Sequence, residues 1–100
     1  MKNTLLHNPH PGEILKYEFL EELDISENAL AIAIDVSYPT IQGIVQAKLT
    51  ITPDIDLRLC RYFVLSEGYF LRLQNAYELM EAKRTLGETL TGLKQQHYMW

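Results

Sequence analysis

The 100-residue chain has one cysteine, Cys60, so it cannot form an internal disulfide. Cys60 lies between Leu59 and Phe63 in a helical pattern, which predicts a small buried side chain and not a reactive thiol. A chain that needs no disulfide suits the reducing cytoplasm, and we predict that compartment.

Long apolar runs are also lacking. No run approaches the roughly 18 residues that a membrane span needs, and residues 1–10 lack the apolar centre of a signal peptide. We therefore expect no membrane partner. The hydrophobic content of 47% still suffices for a modest core, so the sequence predicts one globular domain.

Patterns typical of enzymes are missing as well. The sequence has no glycine-rich phosphate loop, no HExxH, no GxSxG and no paired cysteines. Its three serines, Ser26, Ser37 and Ser66, all fall at predicted helix starts, where capping accounts for them. His7 and His10 could ligate a metal, but no further ligand follows at a suitable spacing, so this alternative is the weaker one. We expect no catalytic residue, no metal and no cofactor.

Positive charge is scarce in the first third of the chain. The net charge is −4, and residues 13–35 carry seven acidic side chains against Lys16. Residues 36–100 are nearly balanced, with seven basic and six acidic side chains. Any surface for phosphate must therefore follow Val36, and the acidic part must face away from DNA or meet a basic protein.

The segment Ser26–Val45 predicts two short helices joined by a tight turn. Ser26 can cap the first helix, which should end near Ile34, and Asp35 tolerates the left-handed turn. Ser37 can cap the second helix, in whose first turn a proline is acceptable. This arrangement is a helix-turn-helix, a unit that places its second helix in the DNA major groove.

The remaining helices follow from caps and periodicity. We predict one helix that starts at Pro11, one that runs from Thr52 to about Leu65, a long one over 67–84 and a weak one over 88–96. With no convincing strand, the chain is predicted to be all-α, with a DNA-binding domain over 1–84 and a tail over 85–100. The expected inward side chains are Leu15, Phe19, Leu20, Leu23, Ala29, Leu30, Ala33, Ile34, Ile41, Ile44, Val45, Ile55, Leu59, Cys60 and Phe63.

The long helix carries more apolar residues than one core stripe needs. They are Tyr69, Phe70, Leu71, Leu73, Ala76, Tyr77, Leu79 and Met80. Two interpretations stay open: the helix is wedged deep among the others, or it keeps a second face for a partner, with a symmetric dimer as the default.

Several segments together resemble the HigA-type antitoxins of the lambda-repressor-like helix-turn-helix class. They are HPGEIL at 10–15, the helix-turn-helix at 26–45, ITPD at 51–54, and YFLRLQ at 69–74 followed by Asn75-Ala76-Tyr77. The resemblance covers about residues 10–84. It implies a homodimeric five-helix domain with a short C-terminal extension.

The resemblance also implies a function. Such antitoxins bind and inhibit a HigB-type toxin, a small basic endoribonuclease that cleaves messenger RNA, and they bind operator DNA to repress their own operon. Two alternatives remain. The chain could be a protein-interaction module that keeps the helix-turn-helix for packing, or a solitary transcriptional regulator with weak DNA binding.

By position in the motif, the resemblance implies six DNA contacts. Where the class has glutamine at the start of the first helix, this chain has Glu27, which phosphate repels. Gln42 and Gln46 could read adenine, and Lys48 is the one cation of the second helix and its following loop. One cation per subunit predicts a shallow salt dependence, with a slope of about −2 for a dimer. The predicted contacts are Tyr38, Thr40, Gln42, Gly43, Gln46 and Lys48.

Overall fold

The computed structural model describes residues 8–96, and these residues form helices and connecting turns without a strand. The predicted all-α class is thereby confirmed. Five helices build the domain, and a short sixth follows a break at Gly87. Among these helices, none combines the length and apolar character that a membrane crossing requires. The elements are α1 at Pro11–Ile14, continued by a π-helix at Leu15–Leu20, then α2 at Glu27–Ile34, α3 at Tyr38–Val45, α4 at Pro53–Phe63, α5 at Tyr69–Leu86 and α6 at Glu88–Gly92.

The π-helical continuation of α1 changes which residues reach the core. The backbone amide of Glu21 donates to the carbonyl of Lys16 in the wider i→i+5 turn. Leu15 and Leu20, five residues apart, are both buried, whereas Leu23 is 56% exposed. The prediction that Leu23 belongs to the core is wrong, because it assumed the α-helical period throughout.

One hydrophobic core lies between α2, α3 and α4, closed by α1 on one side and by α5 on the other. The buried edge of α2 consists of Leu30, Ala31 and Ile34, while Ala29 and Ala33 are exposed. The predicted inward place of these two alanines is therefore wrong. The fully buried core side chains are Leu15, Leu30, Ile41, Ile44, Ile51, Leu59, Cys60 and Phe70. The predicted burial of Cys60 is confirmed, and this burial raises the pKa of its thiol.

A buried carboxylate joins α4 to the start of α5. Asp56 is 1% exposed. Its Oδ1 accepts hydrogen bonds from the amides of Phe70, at 2.9 Å, and Leu71, at 3.2 Å, and its Oδ2 accepts one from the amide of Gly68 at 2.7 Å. The first N–H groups of a helix have no partner within the helix. Asp56 therefore caps α5 from another helix.

A close approach between backbones joins α1 to α3. A Cβ atom added at Gly12 would lie 1.8 Å from the carbonyl oxygen of Ile44. Glycine is therefore the one residue that lets α1 rest directly on the backbone of α3.

His10 caps α1 with its ring. Its Nδ1 accepts a hydrogen bond from the Gly12 amide at 2.9 Å, and the ring meets that of Tyr77 edge-on, with 5.0 Å between centroids. Burial lowers the pKa of His10, and the nearby carboxylates of Glu13 and Glu78 oppose this shift without cancelling it. His10 therefore has a structural role at the start of α1. His7, the other predicted candidate ligand, lies outside the described residues.

Acidification is expected to destabilise the fold through His10. Its folded pKa lies below the ordinary value of 6.5, so between the two values the unfolded chain binds a proton that the folded chain does not. Stability therefore falls as the pH falls through this window. Thermal unfolding at about pH 7.5 and about pH 5.5 measures the loss. In His10→Asn, which can still cap the helix, the loss should be smaller, and an equal loss in both proteins would contradict the assignment.

The end of α4 is strained. Val64 has φ 59° and ψ 55°, a left-handed conformation that costs a residue with a Cβ about 1–2 kcal/mol. Its side chain is 87% exposed, so the protein's own core does not use it. α4 ends at Phe63, slightly before the predicted Leu65.

The long helix α5 is not wedged among the others, and that interpretation of its wide apolar surface is wrong. Of its apolar residues only Phe70 is fully buried. Leu79 is 53% exposed and Met80 43% exposed, because the second half of α5 extends past the core. The tail helix α6 is shorter than the predicted 88–96, with Leu90 44% exposed. The predicted aromatic end at 97–100 lies outside the described residues.

Candidate nucleic-acid interface

Helices α2 and α3 form the predicted helix-turn-helix, with the predicted caps. The Ser26 hydroxyl accepts from the amide of Ala29 at 3.0 Å, and the Ser37 hydroxyl accepts from that of Thr40 at 3.3 Å. Between the helices, Asp35 takes the left-handed conformation at φ 58°. These local signals fix where each helix begins and ends, and thus the sharp turn between them.

An arginine from α4 holds this turn. The Arg58 Nη1 donates to the carbonyls of Ile34, at 2.9 Å, and Asp35, at 3.2 Å, while its Nε pairs with Asp54 one turn earlier. The last carbonyls of a helix have no partner within it and attract a cation. Arg58 thus attaches α4 to the end of α2. Sequence reasoning missed it, because the bond spans 24 residues and no local pattern marks it.

The outer face of α3 presents a pre-arranged pair of polar side chains. Tyr38 is 41% exposed, and its hydroxyl accepts a hydrogen bond from Gln42 Nε2 at 3.3 Å. One N–H and the carbonyl oxygen of the Gln42 amide remain for a ligand, and adenine is read by such a donor–acceptor pair. On the neighbouring edge, the hydroxyls of Ser37 and Thr40 lie 2.7 Å apart.

The segment after α3 carries the other predicted contacts. Gln46 and Lys48 are exposed, so both side chains can reach a ligand. Gly43 differs, because a Cβ there would lie 2.6 Å from Leu49 Cδ1. The Leu49 side chain therefore packs directly over Gly43, a contact that sequence reasoning missed.

Both ends of this loop are fixed. The amides of Lys48 and Leu49 donate to the Gly43 carbonyl at 2.8 and 3.1 Å. At the far end, the side-chain amide of Gln74 on α5 accepts from the Ile51 N–H at 2.6 Å and donates to the Ile51 carbonyl at 3.0 Å. The loop is therefore held to α3 and to α5, with Lys48 between.

The few charges on this surface favour hydrogen bonding to DNA bases over electrostatic attraction to the phosphate backbone. Lys48 is the cation of α3 and its loop, and Arg58 is engaged by two carbonyls and Asp54. Glu27, in the first turn of α2, is only partly exposed. A surface with two glutamines, one tyrosine and one lysine can hydrogen-bond to base edges but neutralises few phosphates.

Comparison with known proteins yields close relatives, although no protein-family profile matches the chain. The chain is 44% identical to virulence-associated protein I of Dichelobacter nodosus, over 75% of this chain and 69% of that protein. It shares the fold of the Pseudomonas aeruginosa antitoxin HigA, solved with the higBA promoter, with a TM-score of 0.84 and 40% identity over 91% of this chain and 100% of that one. It also resembles antitoxin GraA in complex with its operator, with a TM-score of 0.83 and 33% identity over 99% of both chains.

Proposed function

The chain belongs to the HigA-type antitoxins of the lambda-repressor-like helix-turn-helix class, and from this premise we propose that it is a homodimeric DNA-binding repressor that also neutralises a HigB-type toxin. The main support is the capped helix-turn-helix, in which α3 presents the hydrogen-bonded pair of Tyr38 and Gln42. The chain is also 40% identical to an antitoxin that was solved with its promoter. Its site of action is then the cytoplasm. Its proposed role is binding and not catalysis.

In the proposed complex, α3 enters the major groove of the operator. Gln42 and Gln46 are one turn apart and so share a face of the helix, where each can read an adenine. Tyr38 orients Gln42, and Thr40 and Lys48 contact the phosphate backbone. Gly43 completes the predicted set, and its carbonyl accepts the backbone N–H of Lys48, which keeps this lysine close to α3.

Gln42→Ala is expected to weaken operator binding by about 10- to 100-fold, because one bidentate base contact is worth about 1–3 kcal/mol. Its thermal midpoint should stay unchanged, since Gln42 bonds only to the exposed Tyr38 hydroxyl. Fluorescence anisotropy with the chain's own upstream DNA, and with a scrambled duplex, measures both affinities.

Two variants serve as controls for this measurement. Lys48→Ala should weaken binding to the operator and to scrambled DNA alike, because a phosphate contact carries no sequence information. Gln95→Ala, in the exposed tail, should change neither affinity. A wild-type protein that shows no preference for its own upstream DNA at low salt would refute the repressor role.

The toxin-binding part of the proposal has electrostatic support. The end of the first helix carries the exposed Glu18, Glu21, Glu22 and Asp24 around the exposed Leu23. A basic protein would be attracted to such a surface. Co-purification with the product of the neighbouring upstream reading frame tests this part, and a basic product that does not bind would refute it.

A second candidate function is a protein-interaction module with little DNA binding. The single lysine on α3 and its loop favours it, because phosphate contacts supply much of the affinity for DNA. Toxin binding without operator binding would establish this alternative. In either case we propose that residues 1–84 are the functional domain and 85–100 an extension, with the break at Gly87 close to that boundary.

A further inference from the structure

We propose that Leu49, in the loop after α3, reads a thymine of the operator by packing against its 5-methyl group. This contact depends on the DNA-binding function proposed above, and it adds an apolar reading of one base to the hydrogen bonds of the glutamines. The six contacts implied by the motif do not include Leu49. Its place on α3 and the chemistry of its neighbours both lead to this role.

The Leu49 side chain lies across the outer face of α3. A Cβ atom at Gly43 would be 2.6 Å from Leu49 Cδ1 and 2.8 Å from Leu49 Cγ, so the leucine covers the bare Cα of this glycine. Gly43 belongs to the outer face, because it follows the exposed Pro39 by one helical turn and precedes the exposed Gln46 by three residues. Leu49 therefore fills the place beside Gln46 that a side chain at position 43 would take.

The backbone holds Leu49 in this place, and its side chain remains accessible. The Leu49 amide donates to the Gly43 carbonyl at 3.1 Å, and two residues later both backbone groups of Ile51 are bonded to Gln74. The leucine is nevertheless 45% exposed. A single exposed leucine is ordinary on a protein surface, but this one lies on the helix face proposed to enter the major groove. A contact there orders only the side chain.

The chemistry of this face identifies the group that Leu49 contacts. In the major groove an A·T pair presents the N7 acceptor and the N6 donor of adenine beside the 5-methyl group of thymine. Gln42 and Gln46 carry amides suited to the adenine edge. Leu49 has no polar side-chain atom for a phosphate or for another base edge, whereas its methyl groups can exclude water from the thymine methyl. One A·T pair can then be read by Gln46 and Leu49 together.

Exchange of thymine for uracil in the operator tests this contact. Uracil pairs with adenine as thymine does and lacks only the 5-methyl group. Each thymine of the chain's own upstream DNA is replaced in turn, and fluorescence anisotropy measures the affinity of the full chain. At one thymine of a half-site, the exchange should weaken wild-type binding about 4-fold, the equivalent of one buried methylene group. Exchange in both half-sites should weaken it about 15-fold, because separate positions add.

Three variants assign this effect to a side chain. Leu49→Ala should bind the unmodified operator about as weakly as the wild type binds the uracil operator, and should lose nothing further on the exchange. Leu49→Met keeps the apolar reach and should keep the response to uracil. Leu90→Ala is the matched control, since Leu90 is 44% exposed in the tail helix, and it should bind and respond as the wild type does. Thermal unfolding of each variant checks the fold.

The response to uracil separates base reading from support of the loop. If Leu49→Ala binds weakly but keeps the full loss on uracil, Leu49 only supports the loop and the proposed contact is wrong. A wild type that is indifferent to every exchange would also overturn it, and in both cases the repressor role would stand. A wild type without preference for its own upstream DNA at low salt would instead refute the repressor role and the thymine contact together.

Discussion

Asp56→Ala is expected to lower the free energy of unfolding by about 3–4 kcal/mol, a large part of the stability of a domain of this size. The alanine would remove the acceptor of three backbone N–H groups at the start of α5. Water cannot replace it freely, because the site is 1% exposed, and a buried donor without a partner costs about 1–3 kcal/mol. Chemical denaturation measures the effect.

Asp54 provides the matched control on the same helix. Its side chain is exposed and pairs with Arg58 one turn later, so Asp54→Ala should cost less than about 1 kcal/mol. Asp56→Asn should lie between the two, since the amide keeps one acceptor oxygen but turns an N–H₂ group toward a backbone donor. Equal denaturation midpoints for the two alanine variants would show that the carboxylate of Asp56 does not cap α5.

Gly12→Ala is expected to be the second large loss, about 3 kcal/mol, at the upper end of what overpacking costs. The added methyl group would meet the carbonyl oxygen of Ile44 at 1.8 Å, and a backbone atom cannot turn aside as a side-chain end can. α1 and α3 must therefore separate. Since α3 carries the proposed base contacts, operator affinity should fall as well.

Gly92→Ala is the control for Gly12→Ala. Nothing lies within 4 Å of a Cβ at Gly92, so the same substitution there should be neutral or slightly stabilising in the last turn of α6. Thermal unfolding and anisotropy with operator DNA, measured on both variants, give the comparison. A Gly12→Ala protein as stable as Gly92→Ala would mean that the close contact of α1 with α3 is absent in solution.

The ends of the helices could be predicted from the sequence because their signals are local. Ser26, Ser37 and Thr52 each accept a hydrogen bond from an amide three residues later, so the signal lies within four residues. Asp35 is another such case, since aspartate is one of the few residues other than glycine that tolerate the left-handed conformation found there.

Contacts between helices could not be predicted in this way. Asp56 bonds to Phe70 across 14 residues, and Arg58 bonds to Ile34 across 24. In the sequence, nothing distinguishes the buried Asp56 from the exposed Asp54 two residues earlier. Nothing distinguishes Arg58 from the other arginines either. Gly12 is a similar case, because a Cβ is excluded at this position only by the packing of α3 against α1. Such roles are properties of the packed fold and not of a local pattern.

Periodicity succeeded for α3 and failed for the first helix for a related reason. Ile41 and Ile44 are buried as their spacing predicts. Leu23 is exposed although its spacing predicts burial, because the π-helix widens the turn ahead of it. No residue type in that stretch indicates a π-helix. At the interface, the spacing of Tyr38 and Gln42 brought them together as expected of an i, i+4 pair, while the packing of Gly43 against Leu49 depended on the loop's path.

The loop after α3 has a thermodynamic consequence. The backbone N–H of Lys48 donates to the Gly43 carbonyl. Three residues after Lys48, both the N–H and the carbonyl of Ile51 are hydrogen-bonded to the Gln74 side chain. Little backbone freedom is left between these anchors, so most of the conformational entropy of the segment is already lost when the protein folds. A phosphate that meets Lys48 then has only the lysine side chain to immobilise. For a surface with one cation, this low ordering cost compensates in part for the missing charge.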